Sequence, residues 1–325
     1  MVQKHTVMKH YNFNLFRKPA IAMAMFAALL FGSCKDDNQE MAAPSQTVAE
    51  IVIGDNNYSL LETALVHAGL ATVLNGDGPF TVFAPDNKAF IAAGFDTEDK
   101  IKAVPAATLK NILLYHVLSQ RVPSSGITAA SNTPVESAAG LNVFITKNSS
   151  GVFVNGATVT AADIMARNGV IHGINTVLMP PMTNIVEAAQ ANSNLGFLAA
   201  AVLRASQGST NVAQVLSGAG PFTVFAPTNQ AFINAGFPDI AAIQAADPAV
   251  LTSILTYHVI AGRVFSSDLE EGAKPKTVNG ATVTITLAGG AKVKGDKNTT
   301  ASTITAANML TTNGVIHVID QVLLP

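Results

Sequence analysis

"GPFTVFAPDNKAF" occupies Gly78–Phe90 and "GPFTVFAPTNQAF" occupies Gly220–Phe232, one thirteen-residue stretch carried twice with two changes, 142 positions apart. In each copy a Gly-Pro turn signal opens a short apolar, β-rich run, and Pro85 or Pro227 closes it, which predicts a buried strand. Asp86 or Thr228 then stands where a helix cap belongs, with Ala89-Phe90 or Ala231-Phe232 in the first turn that follows. Strand, stop, cap and helix are thus specified together, once per copy.

Other pairs keep the spacing. "ILLYHV" (112–117) matches "ILTYHV" (254–259) at the same offset of 142, and "NGVIHGINTVLMP" (168–180) matches "NGVIHVIDQVLLP" (313–325) at 145. A period of about 140 residues exceeds that of solenoids and propellers, so two tandem domains are expected. "VNGATVT" at 154 and 278 breaks the register and is a decoy. The consistent alignment sets Thr158–Ala162 against Thr303–Ala307, with the extra residues of the second copy near "GDKNTTAS", as suits a surface loop.

Leu109, Ile112, Leu113 and His116 fall at i, i+3, i+4 and i+7, and Leu251, Ile254, Leu255 and His258 repeat the pattern. Each histidine therefore sits on the apolar stripe of a helix ending at the tyrosine-histidine pair. Asp247-Pro248 supplies a cap and a first-turn proline in the second copy. Asn168-Gly169 and Asn313-Gly314 separate β-rich runs and predict a closing hairpin.

The chain of 325 residues is 12% charged and 49% hydrophobic, with a formal net charge of −2. No basic excess points to nucleic acid. The single cysteine, Cys34, excludes an intramolecular disulfide and every two-cysteine metal or redox motif.

Residues 1–33 read as a signal peptide. Lys4, Lys9, Arg17 and Lys18 precede an uncharged apolar run, Pro19 to Phe31, too short to span a bilayer. "FGSC" (31–34) resembles a bacterial lipoprotein box, which implies lipidation of Cys34 and attachment to a membrane by acyl chains. Residues 34–47 have the composition of a flexible tether. Cys34-Lys35-Asp36-Asp37 is similar to the signal that sends some lipoproteins to the outer face of the outer membrane, with a periplasm-facing protein as the alternative. Residues 1–33 hold four of the 19 cationic side chains and none of the 21 acids, so cleavage there leaves 15 against 21, about −6.

"GPFTVFAPTNQAF", "YHV" and "NGVIHVIDQVLLP", in that order and found twice, resemble the conserved boxes and tyrosine-histidine element of the fasciclin-like domain. The resemblance covers residues 48–181 and 182–325. It implies an α+β fold, two tandem β-wedge domains of about seven strands with packed helices, in a non-enzymatic cell-surface protein acting in adhesion. It also implies receptor contact near Tyr115-His116 and Tyr257-His258. Gly173, where the second copy has Val318, departs from the pattern and is expected to weaken that terminal strand.

These residues carry bland readings too. His116 with His172, and His258 with His317, suggest a metal site, but without recurring acidic or cysteine partners they read better as core histidines bonded to backbone. Tyr115 and Tyr257 read either as exposed binding residues or as core aromatics. Lys292 and Lys294 point to one face of a strand, either for an anionic glycan or to protect a sheet edge. No hydrolase, phosphate-loop or EF-hand motif occurs, no cofactor is implied, and no residue has a catalytic part. The function expected is a lipid-anchored envelope module recognising a cell surface, matrix protein or polysaccharide. An envelope structural or assembly accessory binding a partner protein is the alternative.

Overall fold

The computed structural model describes residues 43–325; the expected signal peptide, Cys34 and most of the expected tether lie outside them. Thirteen strands form two sheets. In the first domain they are β1 (Phe80–Pro85), β2 (Val117–Leu118), β3 (Thr133–Glu136), β4 (Asn142–Asn148), β5 (Gly151–Val154), β6 (Ala157–Ala166) and β7 (Gly169–Ile174). In the second they are β8 (Phe222–Pro227), β9 (Val259–Ala261), β10 (Thr284–Thr286), β11 (Lys292–Lys294), β12 (Ser302–Thr311) and β13 (Gly314–Ile319).

The order in the first sheet is β2-β1-β7-β6-β5-β4-β3, and in the second β10-β11-β12-β13-β8-β9. The stretch quoted at the outset is an interior strand in both, one place in from the edge. β1 runs parallel to β7, and β8 to β13, with Phe83 beside His172 and Phe225 beside His317. These strands are buried through all but their first residue, as apolar runs without alternation should be. β6–β7 and β12–β13 are the predicted hairpins.

Asp86 accepts a hydrogen bond from Ala89 N and Thr228 one from Ala231 N, so both caps stand where expected. Asp247 caps Pro248–Tyr257 in the same way. Gly78 and Gly220 have φ of +64° and +59°, and a Cβ at either would collide with the carbonyl oxygen of Asn168 or Asn313. Only glycine fits there.

"VNGATVT" is a decoy in three dimensions as well. Asn155-Gly156 turns between β5 and β6, whereas Asn279-Gly280 turns between Thr277 and Ala281, ahead of β10.

Helices cover one side of each sheet. Two apolar cores result in each domain. In the first, one gathers Leu61, Phe90, Leu109 and Leu113 under the helices, and another surrounds Tyr115, Phe83 and Ile145 inside the curled sheet. The second domain repeats this with Leu198, Phe232 and Leu255, and with Tyr257, Phe225 and Ile285. Among the described residues no helix is long and apolar enough to cross a membrane.

Gly173 does not open a weakness. A Cβ there would stand 2.6 Å from the hydroxyl oxygen of Tyr58, whose ring fills the space. The second domain has Leu195 in the matching turn and Val318 on the strand, both in one core cluster. A large side chain at one position goes with none at the other in the first domain, and two medium ones share the space in the second.

The domains meet along a seam. Asp268, in the second, accepts hydrogen bonds from Asn132 Nδ2 at 3.0 Å and Thr146 Oγ1 at 2.8 Å in the first. Asn148 Nδ2 donates to Ser267 O at 3.0 Å. Arg263 lies over the ring of Phe144, 4.0 Å from its centroid, and Phe265 packs against the same ring at 6.1 Å.

Candidate functional site

The tyrosine-histidine pairs lie inside the protein. Tyr115 and Tyr257 are 0% exposed, and His116 and His258 are 2% and 1% exposed. Contact with a receptor through these side chains is therefore not possible on the folded domain, and the core readings hold. Tyr115 donates to Asn142 O at 2.8 Å and accepts from Asn155 Nδ2 at 3.0 Å. Tyr257 donates to Thr282 O at 2.7 Å and accepts from Asp296 N at 2.9 Å. Each hydroxyl ties a helix end to the sheet. Burial pushes Tyr115 up to about 12, against the lowering effect of the Asn155 bond.

The histidines are occupied at both ring nitrogens. His116 Nδ1 lies 2.8 Å from Ile112 O, and its Nε2 accepts from Leu178 N at 2.8 Å. His258 makes the same pair of bonds with Ile254 O and Leu323 N. A backbone N–H must find a lone pair, so Nδ1 carries the proton in both. His172 and His317 take the other tautomer: their Nδ1 accepts from Asp163 N and Asn308 N, while Nε2 donates to Val122 O and Val264 O. Burial lowers His116 and His258 to about 4 and also depresses His317. With every ring nitrogen bonded to backbone, none is free to ligate a metal. Among the described residues no group of three or more His, Cys, Asp or Glu is placed to hold an ion.

One cluster brings nucleophile-type residues together. Asp163 accepts from the backbone N of Ser124 at 2.7 Å and from its hydroxyl, and Asp163 N donates to His172. Burial raises the Asp163 carboxyl, but the Ser124 bonds and the nearby His172 and Lys147 lower it further, so the net direction is down. The hydroxyl points to the carboxylate and not to the imidazole, so His172 does not activate it. In the second domain Asn308 takes the place of the aspartate, bonding Ser266 N, Ser266 Oγ and His317. The arrangement survives loss of the charge, so its part is to hold the strand irregularity at Asp163 and Asn308, where φ is +59° and +65°.

Sequence reading missed a second hub. Asn168 was legible only as a turn residue, yet its Oδ1 accepts from Val48 N while its Nδ2 donates to Leu74 O and Gly76 O. Asn313 makes the equivalent bonds to Ile185 N, Leu216 O and Gly218 O. Its recurrence in both "NGVIH" copies was the available signal.

Lys292 and Lys294 are half-buried at their bases and stay on one face, as alternation predicts. The edge-protection reading fails: β11 lies between β10 and β12.

The Fasciclin domain family profile matches residues 56–180 and 199–325. The chain belongs to the fasciclin-domain family, with two copies in tandem. It is 39% identical over 189 residues to transforming growth factor-beta-induced protein ig-h3 of Sus scrofa, covering 57% of this chain and 27% of that one. It is 36% identical over 146 residues to protein sll1483 of Synechocystis, covering 45% of this chain and 79% of that protein. The fasciclin domain pair of the insect cell adhesion molecule fasciclin I aligns over 85% of this chain and 96% of its own, at 19% identity and a TM-score of 0.40. The chain spans about a quarter of the length of the animal relatives it matches. Fasciclin domains are typically non-enzymatic adhesion modules.

Proposed function

We propose that this protein is a lipid-anchored adhesion module of a bacterial envelope. It is held at the outer membrane through Cys34, faces the exterior, and recognises a neighbouring cell surface, matrix protein or polysaccharide by noncovalent contact. One observation carries the reading: the motif side chains spend their polar atoms on backbone groups within each domain. That leaves the outer faces as the working parts, and two domains joined by a seam place two such surfaces on one tether.

The test combines protease shaving of intact cells with a Cys34→Ala variant. The reading expects protease to remove the native domains from living cells and the variant to leave the membrane fraction. Purified protein should bind intact cells. Native protein resistant to shaving and inert toward cells would overturn it.

A further inference from the structure

The second domain bears a sheet face that the first domain uses for something else. Lys294 lies opposite Thr284, and Lys292 opposite Thr286. Bonds from Ile285 N to Ala273 O and from Val283 N to Pro275 O lay residues 273–276 along the other side of β10, with Lys276 bridged to Thr282. Val283, Ile285 and Val293 are buried, so alternation turns Lys274, Lys276, Lys292 and Lys294 together to the opposite, outer side. Neighbouring lysines along one strand are about 7 Å apart, and Lys274 and Lys294 are separated by two strand spacings, about 10 Å.

Among the described residues none of these ammonium groups forms an ion pair. Among the described residues the ion pairs are Lys100–Asp96 and Lys102–Glu98, both in the first domain. Glu271 is engaged by Leu287 N, and Asp320 by Ser302 Oγ and Thr303 N. Asp296, two residues beyond Lys294, is the remaining acid beside the strip. The side chains of Thr282, Thr284 and Thr286 make no hydrogen bond within the described residues, in contrast to Thr223, Thr256 and Thr277 of the same domain.

The equivalent face of the first domain shows what this surface is not for. Tyr115 bonds Asn142 O where Tyr257 bonds Thr282 O, which aligns Phe144 with Thr284, Pro134 with Lys274 and Glu136 with Lys276. Phe144 is the residue on which Arg263 and Phe265 close the seam. A further domain docking in the same manner would bring Arg121 or Arg263 onto four lysines, since Val122 and Val264 hold matching positions against His172 and His317. Like charges exclude that contact. The strip also lacks the aromatic side chains on which nucleic-acid bases stack.

We propose that this face binds an acidic polysaccharide, with the lysines paired to its carboxylates and the threonine hydroxyls to its sugar hydroxyls. The proposal rests on the adhesion reading and names a ligand class for it. A linear polyanion matches a flat strip of spaced cations set on a chain of negative net charge, where attraction is local to the strip.

The test is retention of the purified protein on immobilised alginate, with neutral dextran as control and salt as competitor. Wild type should be retained on alginate alone and released by salt. Substituting Lys274, Lys276, Lys292 and Lys294 by Gln should weaken binding by about tenfold or more. Substituting Lys88, Lys100, Lys102 and Lys110 of the first domain should not. The pair Lys292→Gln and Lys294→Gln serves as a milder variant, with circular dichroism confirming the fold. No retention of wild type, equal retention of the four-lysine variant, or binding only to anionic vesicles would overturn the proposal. Cell binding by wild type, measured in parallel, separates the two readings: wild type that binds cells and not alginate sinks the lysine face alone, and wild type that binds neither sinks the adhesion module as well.

Discussion

The hydroxyl of Tyr58 occupies the volume that a side chain at residue 173 would need, and Gly173 is what allows it. Tyr58 is 5% exposed and closes the end of the helical core over β7. Burial, with Asp55 and Asp86 nearby, raises its phenol above the ordinary value. Gly173→Val is expected to destabilise by about 1–3 kcal/mol through overpacking. Combining it with Tyr58→Leu, the arrangement of the second domain, should recover a large part of that loss. A double-mutant cycle by urea denaturation measures the coupling, and additive effects would refute it.

Acid should loosen both domains through His116 and His258. Their folded values lie near 4, below the ordinary 6.5, because burial disfavours the charged ring. A depressed value gives stability that is complete above pH 6.5 and lost as pH falls toward 4. The loss is expected to be on the order of 3 kcal/mol for each histidine. Denaturant midpoints followed from pH 7 to 4 check this, and His116→Leu with His258→Leu should flatten the profile while lowering stability at pH 7.

Asn168→Ala should cost roughly 3 kcal/mol, since it strands Val48 N, Leu74 O and Gly76 O without partners in buried surroundings. Asn313→Ala should do the same to the second domain, through Ile185 N, Leu216 O and Gly218 O. Thermal unfolding that shows either variant as stable as wild type would contradict this account of the hub.

Thr146→Val removes a bond to Asp268 that crosses the seam, and with it the acceptor of Asn132 N inside the first domain. Together with Asn132→Ala, which deletes the bonds to Asp268 and Arg263 O, it should widen the solution envelope measured by X-ray scattering. The unfolding midpoint of the second domain should shift by less than about 1 kcal/mol equivalent, while the first domain loses about 1–3 kcal/mol because Asn132 N is left without its acceptor. An unchanged envelope would mean that the remaining contacts, the stack on Phe144 and the Asn148–Ser267 bond among them, hold the pair without Asp268.

Much of this architecture was legible because its signals are local. A cap three residues from its donor, as in Asp86–Ala89, or a period that seats Leu109 and His116 on one stripe, can be read within one window. Tyr58–Gly173, Asn168–Val48 and Asn132–Asp268 join residues 115, 120 and 136 positions apart, and no window holds both partners. The lysine face shows the same divide. "KVK" disclosed its alternation, but Lys274 and Lys276 precede the strand in irregular chain, and only the bonds to β10 align them with it. The assumption of an exposed edge at β11 failed for the same reason: strand order is a long-range property.

The seam has a mechanical consequence. Each barrel is knitted by ladders of backbone bonds, whereas the joint between them rests on side-chain contacts: the bonds made by Asp268, Asn148 and Asn308, the stack of Arg263 on Phe144, and Leu310 packed on the inner core of the first domain. A pull applied across the two domains would find the joint the softer spring. It would part first, giving slack while both barrels stay folded, and reclose when the load is removed.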